Sequence, residues 1–148
     1  MSKDYYPYFG NASGMAFEFE SEGRNGKIRK QVQYTLIDDN GVVYFNLGFG
    51  DLNEQTGDID DLSISDNQDR EKILATVAAT VLEFTSYFPK AIVYAKGSTS
   101  ARTRLYRMGI AKNLEKINKT LRVFGRLNSQ WHEFEKDTNY EAFMVFRR

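Results

Sequence analysis

The chain predicts an α+β domain: a mixed, mostly antiparallel sheet of about six or seven strands with two helices packed on one face. Three observations predict it. Alternating apolar and polar residues, punctuated by hairpin turns, occupy the region up to about residue 50. Two stretches with helical periodicity, near 68–87 and 99–121, then flank a short, nearly all-apolar run from Ala91 to Ala95. After the second of these the strand pattern returns. The element order is therefore β-β-β-(β)-α-β-α-β-β-β.

Each element has its own local reason. Residues 1–14 read as an irregular arm whose Tyr5, Tyr6, Tyr8 and Phe9 need apolar surface to pack on. Residues 15–148 read as one α+β domain without a linker or repeat. Phe17 and Phe19 alternate with Glu18 and Glu20, as a half-buried strand does. Asn25-Gly26 turns the chain into a second strand, with Val32, Tyr34 and Leu36 on one face and Gln31, Gln33 and Thr35 on the other. Asn40-Gly41 supplies the next hairpin, and a third strand runs from Val42 to about Phe49. An acidic loop follows at 51–60, then a short strand at Leu62-Ser63-Ile64. Ser65, Asp66 and Asn67 are competent caps for a helix from Gln68 to Tyr87, which Pro89 ends. Its apolar stripe is Leu74, Val77, Ala78, Val81, Leu82, Phe84 and Phe88.

The run Ala91–Ala95 suits the centre of a sheet. The second helix is predicted from Thr99 to Leu121, with Tyr106, Ile110, Leu114, Ile117 and Leu121 inward and Arg104, Lys112, Lys116 and Lys119 outward. Val123–Leu127, Trp131–Lys136 and Glu141–Phe146 read as closing strands, the last two joined by a turn at Asp137-Thr138-Asn139. A strand at Leu62 and the strand at Ala91 would be parallel, so both helices would begin at one edge of the sheet. Ligands of α/β units bind at that edge.

At 148 residues, 14% of them aromatic, the chain is long enough to bury a sizeable core. It has no cysteine, which excludes disulfides, thiolate metal sites and a cysteine nucleophile. No apolar run is long enough to span a membrane and no signal-peptide pattern is present, so the expected location is the cytoplasm. Net charge is zero but unevenly spread. From Asp51 to Glu71 there are eight acids and one base; from Lys96 to Arg126 there are nine bases and one acid. The two blocks either neutralise each other or present a field to a polyanion.

The stretch from Gly97 to Arg107 concentrates the anion-binding signals. A helix opening there presents unpaired N–H groups. Ser98 and Thr99 add short oxygen-bearing side chains, and Arg102, Arg104 and Arg107 add charge. The candidate anion site is therefore Ser98, Thr99, Arg102, Arg104 and Arg107, facing a nucleotide, a nucleic acid or an acidic protein surface. The alternative reading of this stretch is an ordinary helix cap, with Asp66 or Asp69 paired to Arg102 or Arg104 as a scaffold salt bridge. Asp51, Asp58, Asp60 and Asp61 are the candidate ligands for magnesium, in a metal-dependent phosphoryl-transfer or nuclease enzyme. Their spacing departs from a calcium loop, with Leu62 where a glutamate belongs. His132 stands alone, and no Ser-His-Asp order, nucleophile elbow or Walker loop occurs. No catalytic residue and no required cofactor are assigned.

Two resemblances accompany this reading. Phe49-Gly50-Asp51, Asp60-Asp61, Asn67-x-Asp69, Leu74-Ala75-Thr76-Val77-Ala78 and the segment Gly97-Ser98-Thr99-x-Ala101-Arg102-Thr103-Arg104-Leu105-Tyr106-Arg107 resemble an uncharacterised family of small bacterial proteins, a domain of unknown function. The resemblance spans about Phe17 to Phe146 and implies a small α+β protein. The element order after residue 15, with Leu105-Tyr106-Arg107-Met108-Gly109-Ile110, is also similar to Gcn5-related N-acetyltransferases. That resemblance implies a topology. The stretch Ser65–Arg70, where those enzymes place a glycine-rich pyrophosphate loop, is acidic and glycine-free here. The leading expectation is a non-enzymatic binding or interaction domain; the alternatives are the metal-dependent enzyme and a degenerate acetyltransferase-like protein.

Overall fold

Tight turns organise the first half of the chain. Asn40 and Gly41 both adopt positive φ, 53° and 86°, as a two-residue Asn-Gly hairpin requires. They join β3 (Gly26–Asp39) to β4 (Val42–Leu52), and Gly26, at φ 81°, closes the preceding hairpin onto β2 (Ala16–Gly23). Within the N-terminal arm, β1 (Phe9–Gly10) pairs with β2. The computed structural model describes residues 5–53, 55–56, 59–60 and 68–148.

The other elements are β5 (Ile59–Asp60), α1 (Arg70–Tyr87), β6 (Ile92–Ala95), α2 (Ser100–Lys112), α3 (Leu114–Asn118), β7 (Leu121–Leu127), β8 (Gln130–Glu133) and β9 (Ala142–Arg147). They form one mixed sheet in the order β1-β2-β3-β4-β6-β9-β7-β8, with β5 paired to β4 off that line. The α+β class holds, with more strands than expected, because β1 and β5 have two residues each and leave no periodicity to read. β4 and β6 are the parallel pair, Phe45–Leu47 lying against Val93–Ala95. The β-α-β unit is thus β4-α1-β6; the strand expected at Leu62–Ile64 lies outside the described residues. Both long helices begin at the carboxyl edge of this parallel pair, α1 after β4 and α2 after β6. Among the described residues no helix is long and apolar enough to cross a membrane.

The helices cover one sheet face. Phe17, Val32, Tyr34, Leu47, Val93, Val123, Phe143 and Val145 contribute that face to the core. Phe84 of α1 stacks on Tyr34 at 4.1 Å between ring centroids and meets Phe45 edge-on at 5.1 Å. On the opposite face Tyr94 packs against Tyr44 and Trp131, and Phe124 stacks on Phe146. The β3–β4 hairpin extends past the helix layer, so Leu36 and Val43 are 55% and 50% exposed although their alternation matches the core strands.

Two helices differ in detail from the sequence reading. α1 turns Thr76, Thr80 and Thr85 fully inward, while Ala78, Val81 and Leu82 are only half-buried. The threonines are tolerated there because each hydroxyl is satisfied. Thr76 donates to the Lys72 carbonyl and accepts from the Tyr6 amide, Thr80 bonds Val77 and Tyr34, and Thr85 donates to the Val81 carbonyl. The single helix expected from Thr99 to Leu121 divides at Asn113. Its Nδ2 donates to the Gly109 carbonyl at 2.7 Å, a side-chain bond that competes with the helical ladder.

Candidate functional site

The chain leaves β6 through Gly97, whose amide donates to Thr103 Oγ1 at 3.0 Å. A Cβ there would fall 2.5 Å from both Arg102 Cβ and the Thr103 nitrogen, so the start of α2 folds directly over a glycine. Thr99 is the N-cap: its Oγ1 accepts from the Arg102 amide at 3.1 Å. Arg102 is buried, with its guanidinium 5.6 Å from the Phe49 ring centroid. Neither Ser98 nor Arg102 is free. Thr99 and the Arg102 amide therefore belong to the framework that sets the helix start.

Arg104 and Arg107 face elsewhere. They stand one turn apart on α2, where residues i and i+3 share a face. Both line a cleft of about 870 Å³ between the first turns of α1 and the outer side of α2. The turn bearing Lys136 and Asp137 closes one side. Six bases line this cleft (Arg70, Lys72, Arg104, Arg107, Lys112 and Lys136) against three acids, Asp69, Glu71 and Asp137. Two of the acids are already engaged. Asp69 Oδ2 accepts from the Tyr6 hydroxyl and, at 2.5 Å, from the Ser21 hydroxyl. Glu71 pairs with Lys112 at 3.3 Å. Lys72 lies 4.4 Å above the Tyr6 ring. Arg70, Arg104, Arg107 and Lys136 have no carboxylate partner among the described residues.

The start of α1 adds to this field. Its N-cap residue, Asp69, makes no side-chain cap bond because the carboxylate is turned to Tyr6 and Ser21. Arg70, Glu71 and Lys72, the first three residues of α1, line the cleft and receive no capping oxygen from the Asp69 side chain. Burial, and then the hydrogen bond to Asp69, pushes the Tyr6 phenol above its ordinary range, keeping it a neutral donor to that carboxylate.

Of the candidate metal ligands, Asp51 and Asp60 are Cα partners across β4 and β5. Asp51 sits opposite Lys30 in the β3–β4 register and bonds its ammonium at 2.5 Å. Asp60 contributes backbone to β5, and Asp58 and Asp61 lie outside the described residues. Among the described residues no group of three or more His, Asp or Glu forms a metal cluster. His132 is exposed on β8. Of the two oppositely charged blocks, Lys112–Glu71 is the one ion pair joining them among the described residues. Arg122 and Arg126 pair instead with Glu133 and Glu141.

Sequence reasoning missed Arg70, Lys72 and Lys136. Arg70 was hidden as the single base of an acidic block, and Lys136 was assigned to a strand. The available signal was positional: a base in the first turn of α1 faces the same edge as the start of α2.

An open mixed sheet with helices on one face defines the class, an α+β domain, and the basic cleft lies at its helix starts. The chain belongs to a family of unknown function, DUF6934, whose match covers residues 2–148. No curated protein and no solved structure matches it.

Proposed function

We propose that this protein is a binding domain for a phosphate-bearing small molecule, held in the cleft between α1 and α2. The observation that carries this reading is the excess of bases around the cleft, of which Arg70, Arg104, Arg107 and Lys136 have no carboxylate partner among the described residues. Its volume of about 870 Å³ falls within the usual range for small-molecule sites. The uncapped start of α1 supplies backbone donors to the same anion. Arg104 and Arg107 contribute charge-assisted, fork-shaped hydrogen bonds, which suit phosphate better than a point charge does. Thr99 and Arg102 serve this site by fixing where α2 begins.

Titration with inorganic pyrophosphate and ATP, followed by calorimetry, tests the reading. Binding is expected to weaken roughly 10- to 100-fold in the Arg104→Gln/Arg107→Gln variant, on the scale of a lost charged hydrogen bond. Absence of binding, or unchanged affinity in that variant, sinks the proposal. A single-stranded nucleic acid as the partner would instead give a steep dependence on salt.

One observation favours a second reading. The parallel pair β4 and β6, joined through α1, is the arrangement expected of the acetyltransferase-like topology, and the cleft lies at its carboxyl edge. On that reading acetyl-CoA raises the melting temperature more than ATP does in the same titration; equal or smaller stabilisation rejects it.

A further inference from the structure

A second, smaller cavity adjoins the basic cleft. It measures about 60 Å³ and lies in the seam between α1 and α2, above the sheet. Its walls include Ala78, Val81, Ile110 and Val93, and Tyr106 is the one lining residue that carries a polar side-chain group. Ala78, Val81 and Ile110 are half-buried rather than sealed, so the slot opens along the helix seam. Leu74 lines both spaces and forms their common wall. Gly109 fixes that wall: a Cβ there would stand 3.2 Å from Leu74 Cβ, so the helices approach closely at this point.

A gap of this kind suits one sort of occupant. About 10–15 Å³ of such space holds one water, but water needs two to four polar partners, and an apolar pocket without them stays dry. Apolar guests fill such pockets readily. The adjoining cleft is the reverse in character, lined by six basic side chains.

We infer that the ligand is amphiphilic: a phosphate group held at Arg104 and Arg107, carrying a short alkyl chain of about three to five carbons that passes Leu74 into the slot. This rests on the reading of the cleft as an anion site and adds the class of molecule that site takes. The chain displaces no ordered water and restores contacts that the facing side chains of α1 and α2 lack. Leu74 is the side chain that must rotate to admit it.

A chain-length series on the wild-type protein tests the inference. Inorganic phosphate, ethyl phosphate and butyl phosphate are titrated and followed by methyl-resolved NMR. Each added methylene is expected to tighten binding about fourfold, the effect of burying one CH₂. Butyl phosphate, unlike inorganic phosphate, is expected to shift the methyl signals of Leu74, Val81 and Ile110. If phosphate binds but affinity is flat with chain length, or those methyls stay still, the slot carries no chain and the anion site stands alone. If butyl phosphate binds and shifts the methyls while Arg104→Gln/Arg107→Gln leaves its affinity unchanged, the anion reading fails and the slot survives. If none of the three binds, both are overturned.

Discussion

Lys30 shows at the residue scale how this chain places charge inside a sheet. It is 5% exposed, on the helix-covered face of β3, and its ammonium meets Asp51 across the strand pair. Taking one partner from a buried pair leaves the other desolvated and uncompensated. Lys30→Met is therefore expected to lower unfolding free energy by about 3 kcal/mol, read by urea denaturation; a loss under 1 kcal/mol would show that Asp51 finds other support. The same pair explains why a sequence reading of Asp51 as a candidate metal ligand could not be decided from spacing. A carboxylate in a Gly-Asp-Leu context looks alike whether it faces a cation from solvent or a lysine twenty-one positions upstream. Arg104 was legible because helical periodicity sends it outward; Arg107 was legible only as a charge beside it, and the sequence reading groups Arg102 with both although it is buried. Arg102, two residues before Arg104, lies on the inner side instead, with its guanidinium over the Phe49 ring.

At the scale of the element, the start of α2 is the most tightly specified junction in the chain. Gly97, the Thr99 cap and the Thr103 hydroxyl lock it through bonds that need those residue types. Thr99→Ala is expected to cost about 1 kcal/mol of stability, as loss of an N-cap does. Thr99→Ser, which keeps the capping oxygen, should recover most of it; equal losses in both variants would mean that the hydroxyl does not cap the helix in solution. Helix existence and hairpin turns could be read directly from periodicity and from Asn-Gly pairs. The inward threonines of α1 could not, because a buried hydroxyl is tolerated only where a carbonyl one turn back accepts its proton, as Val77 does for Thr80, which also shares a hydrogen bond with Tyr34. The break at Asn113 was equally hidden, since its cause is a side chain bonding the Gly109 carbonyl. Apolar residues continue in phase on both sides of it.

The whole molecule has a pH limit built from its tyrosines. Burial raises the Tyr34 phenol far above its ordinary range, and burial followed by the hydrogen bond to Glu83 does the same for Tyr8. In the unfolded chain these groups ionise near pH 10. Above that pH the unfolded state has released protons that the folded state still holds, so stability falls as pH rises. The contribution is complete below about pH 9 and is lost progressively above about 10. Melting temperature is expected to decline between pH 9 and 11, and to decline less in Tyr34→Phe; parallel profiles for the two proteins would remove Tyr34 as a cause. Sheet order was the least legible level, because the pairing of β4 with β6, and of β9 between β6 and β7, joins segments far apart in sequence. The overhang of the β3–β4 hairpin has a kinetic corollary. Amide deuteration should spread from the tip inward, rapid at Leu36 and Val43 and slow at Val32 and Phe49, because only the inner rungs lie under the helices. The longest ribbon in the protein would thus unzip from its free end without the core giving way.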